Sequence, residues 1–324
     1  MTVAIVGPGT IGAAHAAAWR EVGAEVSHLV SRRPDATLAD APLAVTVTDY
    51  ATVLGDPTVD IVTICTPTPT HREFAIAALR AGKHVLLEKP IALTIDDAEA
   101  IAREAESSEG VLMVAHVVRF FDGYVRVRQA VVDGRVGHPL HVRAERAIAP
   151  PGTPWWYEEE LSGGVAVDLG IHDLDQANLL LGEPIAVRAT ATDGLGPVET
   201  TVEYAGGALA QVLSHARMPE HTPFATSIRV LGDAGLVEHH HTGGQHATDA
   251  YLLRGAYGVS VEDWDGRESD ARDPYATQAA HFLECVASGS ESTVAPTADA
   301  IAALRVALAA RDSLHAGGGW VRPA

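Results

Sequence analysis

The segment that most constrains the fold lies at the amino terminus, where a short apolar stretch runs directly into a glycine-rich turn. Val3 to Val6 has the composition of a buried strand, and an alanine-rich helical segment continues to about Val22. In this context the intervening G-x-G-x-x-G pattern predicts a helix N-terminus whose amides face a pyrophosphate. The alternative is a glycine turn of purely structural use. The predicted dinucleotide contacts are Gly7, Gly9, Thr10, Ile11 and Gly12.

A second strand-like stretch, Glu25 to Val30, ends where an NAD-preferring site usually places an acid for the ribose 2′-hydroxyl. Ser31 and Arg32 stand at this place instead. A hydroxyl and a guanidinium can bind a 2′-phosphate, and there is no carboxylate at position 31 to repel it. The sequence therefore favours NADP as the cofactor. NAD stays possible if the arginines are solvated and Asp35 reaches the ribose.

Strand-like and helix-like stretches alternate as far as residue 118. The strand Ile61 to Cys65 opens into a loop rich in hydroxyl groups, a helix follows, and the next strand begins at His84. Such alternation predicts a right-handed, doubly wound parallel sheet, the Rossmann arrangement of an α/β protein. We expect three residues of the loop to contact the cofactor: Thr66, Pro67 and His71.

The stretch His84-Val85-Leu86-Leu87-Glu88-Lys89-Pro90 is apolar until its carboxyl end, where a charged pair is stopped by proline. An open α/β sheet shows this pattern where its ligand crevice lies. Lys89 is therefore the first catalytic candidate, and Glu88 is expected near the cofactor. The alternative for Lys89 is an ordinary exposed lysine at a strand end.

Length and charge limit the class of protein. A chain of 324 residues with 47% hydrophobic and 20% charged residues can form two globular domains, and we expect them at residues 1–118 and 119–324. The net charge of −19 argues against nucleic-acid and membrane partners. The chain has two cysteines, lacks the basic start of a signal peptide and contains no apolar run of about 18 residues. These features predict a cytoplasmic protein without a transmembrane helix.

The second half changes character. Strand-like stretches with turn residues between them run from Leu140 to His241, which predicts an open, mostly antiparallel sheet with helices on one face. The loop from Pro150 to Tyr157 carries adjacent aromatic residues, and Trp156 and Tyr157 could form the apolar face of a sugar-type site. The alternative is a loop that tryptophan anchors to the core. Two amphipathic helices close the chain.

A glycine pair begins the motif Gly163-Gly164-Val165-Ala166-Val167-Asp168-Leu169-Gly170-Ile171-His172-Asp173-Leu174-Asp175. The motif predicts the start of a helix that ends at Gly182, with Asp168, His172 and Asp175 on one face. An imidazole near a carboxylate can transfer a proton at neutral pH. There are two alternatives. The aspartate could cap the helix while the histidine has its hydrogen bonds satisfied within the protein, or the residues could form a metal site. We expect no metal there or at His239-His240-His241, because adjacent strand residues point to opposite faces.

The glycine turn, the Thr-Pro-Thr-Pro-Thr-His loop and Glu88-Lys89-Pro90 together resemble the Gfo/Idh/MocA family of NAD(P)-dependent oxidoreductases. The resemblance spans nearly the whole chain and implies a Rossmann domain followed by an α+β domain with an open sheet. It also implies a cis Lys89-Pro90 peptide, and a homodimer or homotetramer formed through that sheet. Two departures are Trp155-Trp156, where relatives often carry Trp-Arg, and Ser162 before the glycine pair. The first puts one inferred cofactor contact in doubt.

The resemblance implies hydride transfer between a nicotinamide and a secondary alcohol or ketone of a sugar, cyclitol or related polyol. His172 would exchange the hydroxyl proton, Lys89 would stabilise the developing alkoxide, and Asp168 would orient the imidazole and the substrate hydroxyls. We also expect Arg119 to contact the polyol or keto-sugar substrate. Two rival hypotheses stay open: a dinucleotide-binding regulator without catalysis, and an enzyme of the same fold acting on a dihydrodiol or tetrapyrrole. Retention of all three catalytic candidates argues against the regulator.

Overall fold

The structure, a computed structural model, describes residues 1–243, 248–255, 258–264 and 272–324. The chain divides into two compact units, one formed by residues 1–120 and 272–301 and the other by residues 121–271 and 302–324. The strands are β1 (Thr2–Val6), β2 (Glu25–Val30), β3 (Val45–Val47), β4 (Ile61–Ile64), β5 (His84–Glu88), β6 (Leu112–Ala115), β7 (Pro139–Ala147), β8 (Pro184–Ala191), β9 (Val198–Tyr204), β10 (Leu209–His215), β11 (Ala225–Gly232), β12 (Gly235–Thr242), β13 (Thr248–Gly255) and β14 (Gly258–Trp264).

Helices connect and cover these strands. Short 3-10 helices lie at Thr68–Thr70, Val117–Phe120 and Pro154–Tyr157. The α-helices are α1 (Thr10–Glu21), α2 (Tyr50–Gly55), α3 (His71–Arg80), α4 (Ile95–Ser107), α5 (Asp122–Val132), α6 (Glu159–Ser162), α7 (Gly164–Asp168), α8 (Ile171–Leu181), α9 (Pro274–Ser288) and α10 (Thr297–His315).

The first unit is built on a six-stranded parallel sheet with the strand order β3-β2-β1-β4-β5-β6. This is the strand order of a dinucleotide-binding Rossmann fold, in which the order reverses between β1 and β4. The predicted doubly wound parallel sheet is therefore confirmed. The sequence did not predict β3 and α2, which are short and lack a strong apolar period.

A late segment of the chain completes the core of the first unit. α1 packs against α9, and the buried Trp19 ring meets the Phe282 ring with centroids 6.4 Å apart. The Trp19 indole N–H donates to the Thr63 hydroxyl at 2.9 Å, which satisfies its one buried polar group. Residues 272–301 thus share a hydrophobic core with a sheet that ends more than 150 positions earlier in the chain.

The second unit is an eight-stranded sheet with the order β14-β13-β12-β11-β7-β10-β9-β8. Its strand pairs are antiparallel except β7 and β10, which run parallel. The predicted open, mostly antiparallel sheet is confirmed. Strands such as β9 alternate between buried and half-buried residues, so one face packs against α8 and its neighbours. The sequence did not predict β13 and β14.

A buried ion pair fastens α8 to this sheet. On β7, Arg146 donates from Nε to Asp173 Oδ2 at 2.7 Å and from Nη2 to Oδ1 at 2.9 Å. The Tyr124 hydroxyl donates to the same carboxylate at 3.1 Å. Burial alone would lower the pKa of Arg146, but the charge of Asp173, the nearby Tyr124 and the hydrogen bonds to both together outweigh burial and raise it. The guanidinium therefore stays charged inside the unit.

Along the described ranges of the chain, every helix is too short or too polar to cross a membrane.

Candidate active site

Four segments with predicted functions follow the carboxyl ends of neighbouring parallel strands. The glycine turn follows β1, Ser31 follows β2, Cys65 and Thr66 follow β4, and Lys89 follows β5. Because parallel strands end at one edge of the sheet, the fold brings these segments to the same edge of the first unit. This edge includes the point between β1 and β4 where the strand order reverses.

The glycine turn has room for a ligand on one side and none on the other. A Cβ at Gly7 would lie 2.7 Å from the Cys65 carbonyl oxygen, and one at Gly12 would lie 2.5 Å from the Gly7 oxygen. Gly7 also has a φ of +86°, which favours glycine. By contrast, a Cβ at Gly9 would meet no atom within 4 Å. No side chain caps the N-terminus of α1, so its first amides are available to an anion. These residues fit a dinucleotide pyrophosphate.

The predicted cofactor-selecting residues follow β2 directly. Ser31 is half-buried and its hydroxyl accepts a hydrogen bond from the Arg33 amide at 3.1 Å. Arg32, Arg33 and Asp35 are exposed. The arrangement leaves a guanidinium and a carboxylate both accessible near this strand end, so the geometry does not choose between a 2′-phosphate and a 2′-hydroxyl.

His71 fastens the hydroxyl-rich loop to the end of the next strand. Its ring is buried, with Nδ1 2.9 Å from the Pro90 carbonyl oxygen and Nε2 3.0 Å from the Thr66 carbonyl oxygen. Burial lowers the pKa of His71 and outweighs these hydrogen bonds, which act in the opposite direction. Its predicted direct contact with the cofactor stays a prediction, while the structure gives it a role in joining two predicted site segments.

The motif at the end of β5 contains a cis peptide bond between Lys89 and Pro90, as the sequence resemblance predicted. Glu88 is buried and Lys89 is half-buried. Only two of the 23 Lys and Arg residues in the chain are lysines, and the other, Lys83, donates to two backbone carbonyls. A lysine in so arginine-rich a chain fits a position that needs a compact ammonium rather than a planar guanidinium.

Sequence reasoning missed His15, which pairs with Glu88. Its Nε2 lies 2.8 Å from Glu88 Oε1, and its ring stands edge-on to Tyr275 with centroids 5.3 Å apart. Burial would raise the pKa of Glu88, but the hydrogen bond and charge of His15, with Lys89 and His71, lower it below its ordinary value. Glu88 is therefore ionised and Nε2 donates to it. The signal available in the sequence was the spacing of His15, three residues after Gly12 on the same helix.

In the second unit, the prediction of one continuous helix through Asp168 and His172 is wrong. α7 ends at Asp168 and α8 begins at Ile171. The Gly170 amide donates to the Val165 carbonyl five residues back, which inserts an extra residue into the turn. The i, i+4, i+7 argument for a shared face therefore does not apply. Asp168 and His172 are half-buried, whereas Asp175 is buried.

Trp156 is the residue that the structure brings to Asp168. Its indole N–H donates to Asp168 Oδ2 at 2.7 Å, and its side chain is 6% exposed. The second tryptophan of the Trp155-Trp156 pair therefore contacts the predicted catalytic carboxylate. Charge-assisted hydrogen bonds of this length hold a carboxylate in one orientation. The sequence predicted a site role for Trp156 but not this partner.

Tyr157 and Trp156 form an aromatic corner. Their ring centroids are 5.5 Å apart with an interplanar angle of 87°, and Tyr157 is 51% exposed. The Tyr157 hydroxyl donates to the Pro151 carbonyl at 2.8 Å, which fixes the ring against its own loop. Trp156 thus anchors the loop, while Tyr157 presents an open aromatic face.

Arg119 has a structural environment within the first unit. Its Nη1 donates to the Val294 carbonyl at 2.7 Å and to Asp299 Oδ2 at 2.8 Å, and its side chain is 2% exposed. It joins the Val117–Phe120 helix to the start of α10. The predicted contact between Arg119 and substrate stays a prediction, and the burial of this guanidinium gives it no support.

The histidine triplet alternates across β12 as expected. His239 is buried and His240 is exposed, while His239 and His241 both approach Asp249, at 3.4 Å and 3.2 Å. Within the described part of the chain, His, Cys, Asp and Glu side chains form no group of three that could hold a metal ion.

The predicted catalytic residues are divided between the units. Lys89 belongs to the first unit, together with Glu88 and His71. Asp168 and His172 belong to the second unit, where Trp156 contacts Asp168. Each half can do separate chemistry. The first offers an open glycine turn and an ammonium that follow strands of one parallel sheet, and the second offers an oriented carboxylate and an imidazole.

Comparison with known proteins gives two family matches. A model of an oxidoreductase family with an NAD-binding Rossmann fold matches residues 1–116, and a model of the GFO/IDH/MocA C-terminal domain matches residues 124–238. The 1,5-anhydro-D-fructose reductase of Ensifer adhaerens is 33% identical over 256 residues, covering 74% of this chain and 76% of the relative.

Two further similarities agree with these matches. The scyllo-inositol 2-dehydrogenase (NAD(+)) of Bacillus subtilis strain 168 is 28% identical, covering 82% of this chain and 78% of the relative. The crystal structure of an oxidoreductase domain protein from Kribbella flavida superimposes with a TM-score of 0.86 and 24% identity, covering 100% of both chains. The last similarity shows the fold alone.

Proposed function

Because this chain belongs to the GFO/IDH/MocA oxidoreductase family, we propose that it transfers hydride between a nicotinamide dinucleotide and a secondary alcohol or ketone of a sugar, cyclitol or polyol. The observation that carries the proposal is the edge of the parallel sheet, where the open glycine turn follows the carboxyl end of β1 and Lys89 follows that of β5. The relatives whose names specify an anhydrosugar and an inositol support the substrate class.

Gly7, Gly9, Thr10, Ile11 and Gly12 would hold the pyrophosphate, and a bound nicotinamide would supply the hydride acceptor or donor. The ionised, buried Glu88 stands next to Lys89 in sequence, and its pKa is lowered by His15, Lys89 and His71. In this proposal the Lys89 ammonium donates a hydrogen bond to the reacting oxygen and stabilises negative charge that develops there.

On the second unit, His172 accepts the hydroxyl proton during oxidation and returns it during reduction, a role worth about 100- to 10,000-fold in rate. Asp168, held by the Trp156 indole, orients the imidazole and the substrate hydroxyls. The family resemblance is the reason for assigning these residues and Lys89 to one reaction. For the cofactor, we propose a preference for NADP through Ser31 and Arg32. The name of the Bacillus relative specifies the other cofactor, NAD(+).

The test is turnover of a panel of inositols and monosaccharides by the wild-type protein with NAD⁺ and with NADP⁺, and with the reduced cofactors on ketone substrates. Lys89→Met should reduce turnover below detection while NADH and NADPH fluorescence titrations give unchanged affinities. Normal turnover by Lys89→Met would overturn the mechanism. Cofactor binding by the wild type without turnover of any panel member would overturn the proposed activity.

A separate comparison tests cofactor choice. Arg32→Ala should weaken NADPH binding and leave NADH binding nearly unchanged, because only NADPH carries the 2′-phosphate. Equal affinity of the wild type for both cofactors, or an equal loss in the variant, would contradict the preference for NADP.

A further inference from the structure

A cavity of about 320 Å³ lies within the second unit, beside the aromatic corner. Its walls include Trp156 and Tyr157 with the α6 residue Glu159, and also Asp193, Gly194 and Arg217. Its volume is at the lower end of the range of small-molecule pockets, about 300–1,000 Å³. One six-membered ring is a suitable occupant, whereas a dinucleotide would be too large.

These walls favour a ligand with an apolar face and many hydroxyl groups. The Trp156 and Tyr157 rings stand nearly perpendicular, so a ring that stacks on one of them meets the edge of the other. The C–H face of a sugar has the flat apolar surface that such stacking requires. Its hydroxyls can use the Asp193 carboxylate and the Arg217 guanidinium of the same lining, which accept and donate hydrogen bonds.

The Asp193 and Arg217 charges on the walls already pair with each other, and Glu159 already has a partner within the protein. Arg217 pairs with Asp193, and His315 lies 2.7 Å from Glu159. Arg217 also donates from Nε to the Gly196 carbonyl at 3.3 Å, and Asp193 accepts the Leu195 amide at 2.9 Å, so both side chains are fixed to their loop. An ionic ligand would have to disrupt these pairs. A neutral polyhydroxylated ligand can share their remaining hydrogen-bonding capacity.

The cavity shares a wall with the predicted catalytic carboxylate. The Trp156 side chain lines the cavity and donates from its indole N–H to Asp168. A ring bound in the cavity therefore contacts the side chain that orients Asp168. Binding energy from a non-reacting part of a substrate can in this way increase the rate at the reacting part.

Resting on the proposed function, we propose that this cavity is a subsite for a second sugar ring, one that is not oxidised. The substrate is then a glycoside of a sugar or cyclitol rather than the free ring. The reacting ring meets Asp168, and the glycosidic ring occupies the cavity lined by the aromatic corner and the Asp193–Arg217 pair. The subsite gives a glycoside a higher kcat/KM than its parent ring.

Gly194 allows the cavity to be filled without backbone strain. A Cβ there meets no atom within 4 Å, and Gly194 is not among the glycines with positive φ. Gly194→Phe places a large side chain at the cavity wall. Gly206 offers the matched control, because it is also exposed, has no atom within 4 Å of a Cβ, and lies in the turn between β9 and β10 outside the cavity lining.

The experiment measures kcat/KM for matched pairs: D-glucose with maltose and cellobiose, and myo-inositol with its α-galactoside. In the wild type and in Gly206→Phe, at least one glycoside should exceed its parent by about tenfold, the effect expected of one stacked ring with a few hydrogen bonds. In Gly194→Phe this ratio should fall to about one. A ratio near one in the wild type, or an unchanged ratio in Gly194→Phe, would overturn the subsite.

Failure of the proposed function is a separate outcome. If parent rings are turned over and glycosides are no better, the activity stands and the subsite is rejected. If no sugar is turned over, the cavity is judged by saturation-transfer NMR with maltose. Maltose signals present in the wild type and Gly206→Phe but lost in Gly194→Phe would support it, and any other pattern would reject it.

Discussion

At the scale of single residues, the orientation of Asp168 depends on one donor. The Trp156 indole N–H is 2.7 Å from one carboxylate oxygen, and this buried ring has few ways to move. An arginine, which the sequence resemblance led us to expect at this place, would bring a charge and several donors. The indole brings one donor and no charge, so it fixes the carboxylate geometry with less change to its electrostatics.

Trp156→Phe removes this hydrogen bond and keeps most of the ring. We expect kcat to fall about tenfold or more, because hydrogen bonds to charged groups are typically worth about 1.5–3 kcal/mol. Steady-state kinetics and thermal melting provide the measurements. Trp155→Phe, in the same loop, is the control and should keep its rate. If the two variants lose equal rate, or if the loss follows melting temperature, positioning by Trp156 is disproved.

Glu88 gives the molecule a pH-dependent stability. Its pKa is lowered in the folded protein, so its contribution is fully present above the pKa of an unfolded glutamate, about 4.3, and is lost as pH falls through the lowered value. Glu88→Gln should therefore cost about 1–3 kcal/mol at pH 7. The difference in the free energy of unfolding between this variant and the wild type should be smaller at pH 3.5 than at pH 7.

Urea denaturation at the two pH values measures this effect. Glu104→Gln is the control, because it removes a carboxylate that pairs with the exposed Arg80 at the surface, where such pairs contribute about 0–1 kcal/mol. A Glu88→Gln variant that is as stable as wild type at pH 7 would show that the His15 hydrogen bond contributes nothing net.

At the scale of elements, the buried Arg146–Asp173 pair connects β7 to the first turn of α8, next to His172. Its role differs from that of surface pairs because neither charge reaches water. Removing one partner of such a pair destabilises a protein strongly, whereas replacing both partners by apolar residues of similar volume changes its stability little. It therefore constrains the helix that carries the predicted proton-transfer residue.

Arg146→Met should destabilise the second unit by about 3–5 kcal/mol, since it leaves the Asp173 charge buried and uncompensated. The double variant Arg146→Met/Asp173→Leu should recover most of that loss. Urea unfolding of the single and double variants gives the comparison. A double variant that is less stable than the single variant would indicate that the pair itself, rather than the unpaired charge, dominates the energetics.

At the scale of the whole molecule, the eight-stranded sheet presents exposed leucines on β10 and β11, on either side of His141 on the intervening strand β7. Leu209 on β10 and Leu231 on β11 both lie in register with His141 on β7, and Leu231 pairs with Leu236 on β12. Leu209 is 42% and Leu231 is 44% exposed. These leucines fit the subunit interface that the sequence resemblance predicts.

We expect light scattering after gel filtration to give two or four times the chain mass of 34.0 kDa. Leu209→Asp/Leu231→Asp should reduce the mass toward that of a monomer, because buried unpaired carboxylates oppose association. Val132→Asp is the control, since it places a charge at another exposed apolar residue of this unit, on α5. A wild-type monomer would contradict the predicted oligomer.

Local patterns in the sequence were sufficient to predict the parallel sheet of the first unit, apart from the short β3, and the edge where its site lies. The glycine turn, Ser31, Thr66 and Lys89 each follow an apolar strand, and parallel strands must end at one edge. The mostly antiparallel second sheet was predicted from the turn residues between its successive strand-like stretches. The helical period of 3.6 residues gave a wrong prediction at Gly170. The Gly170 amide donates to a carbonyl five residues back rather than four, and this rotates every later side chain about the helix axis relative to the prediction.

Only the tertiary structure decided which side chains meet. His15 and Glu88 are 73 residues apart in the chain, Trp156 and Asp168 are 12 apart, and the place of α9 beside α1 depends on a shared core. Residue type and spacing specify the strands and turns because backbone geometry is local and periodic. Pairs such as these depend on packing between distant segments, and for that the sequence alone contains no local signal.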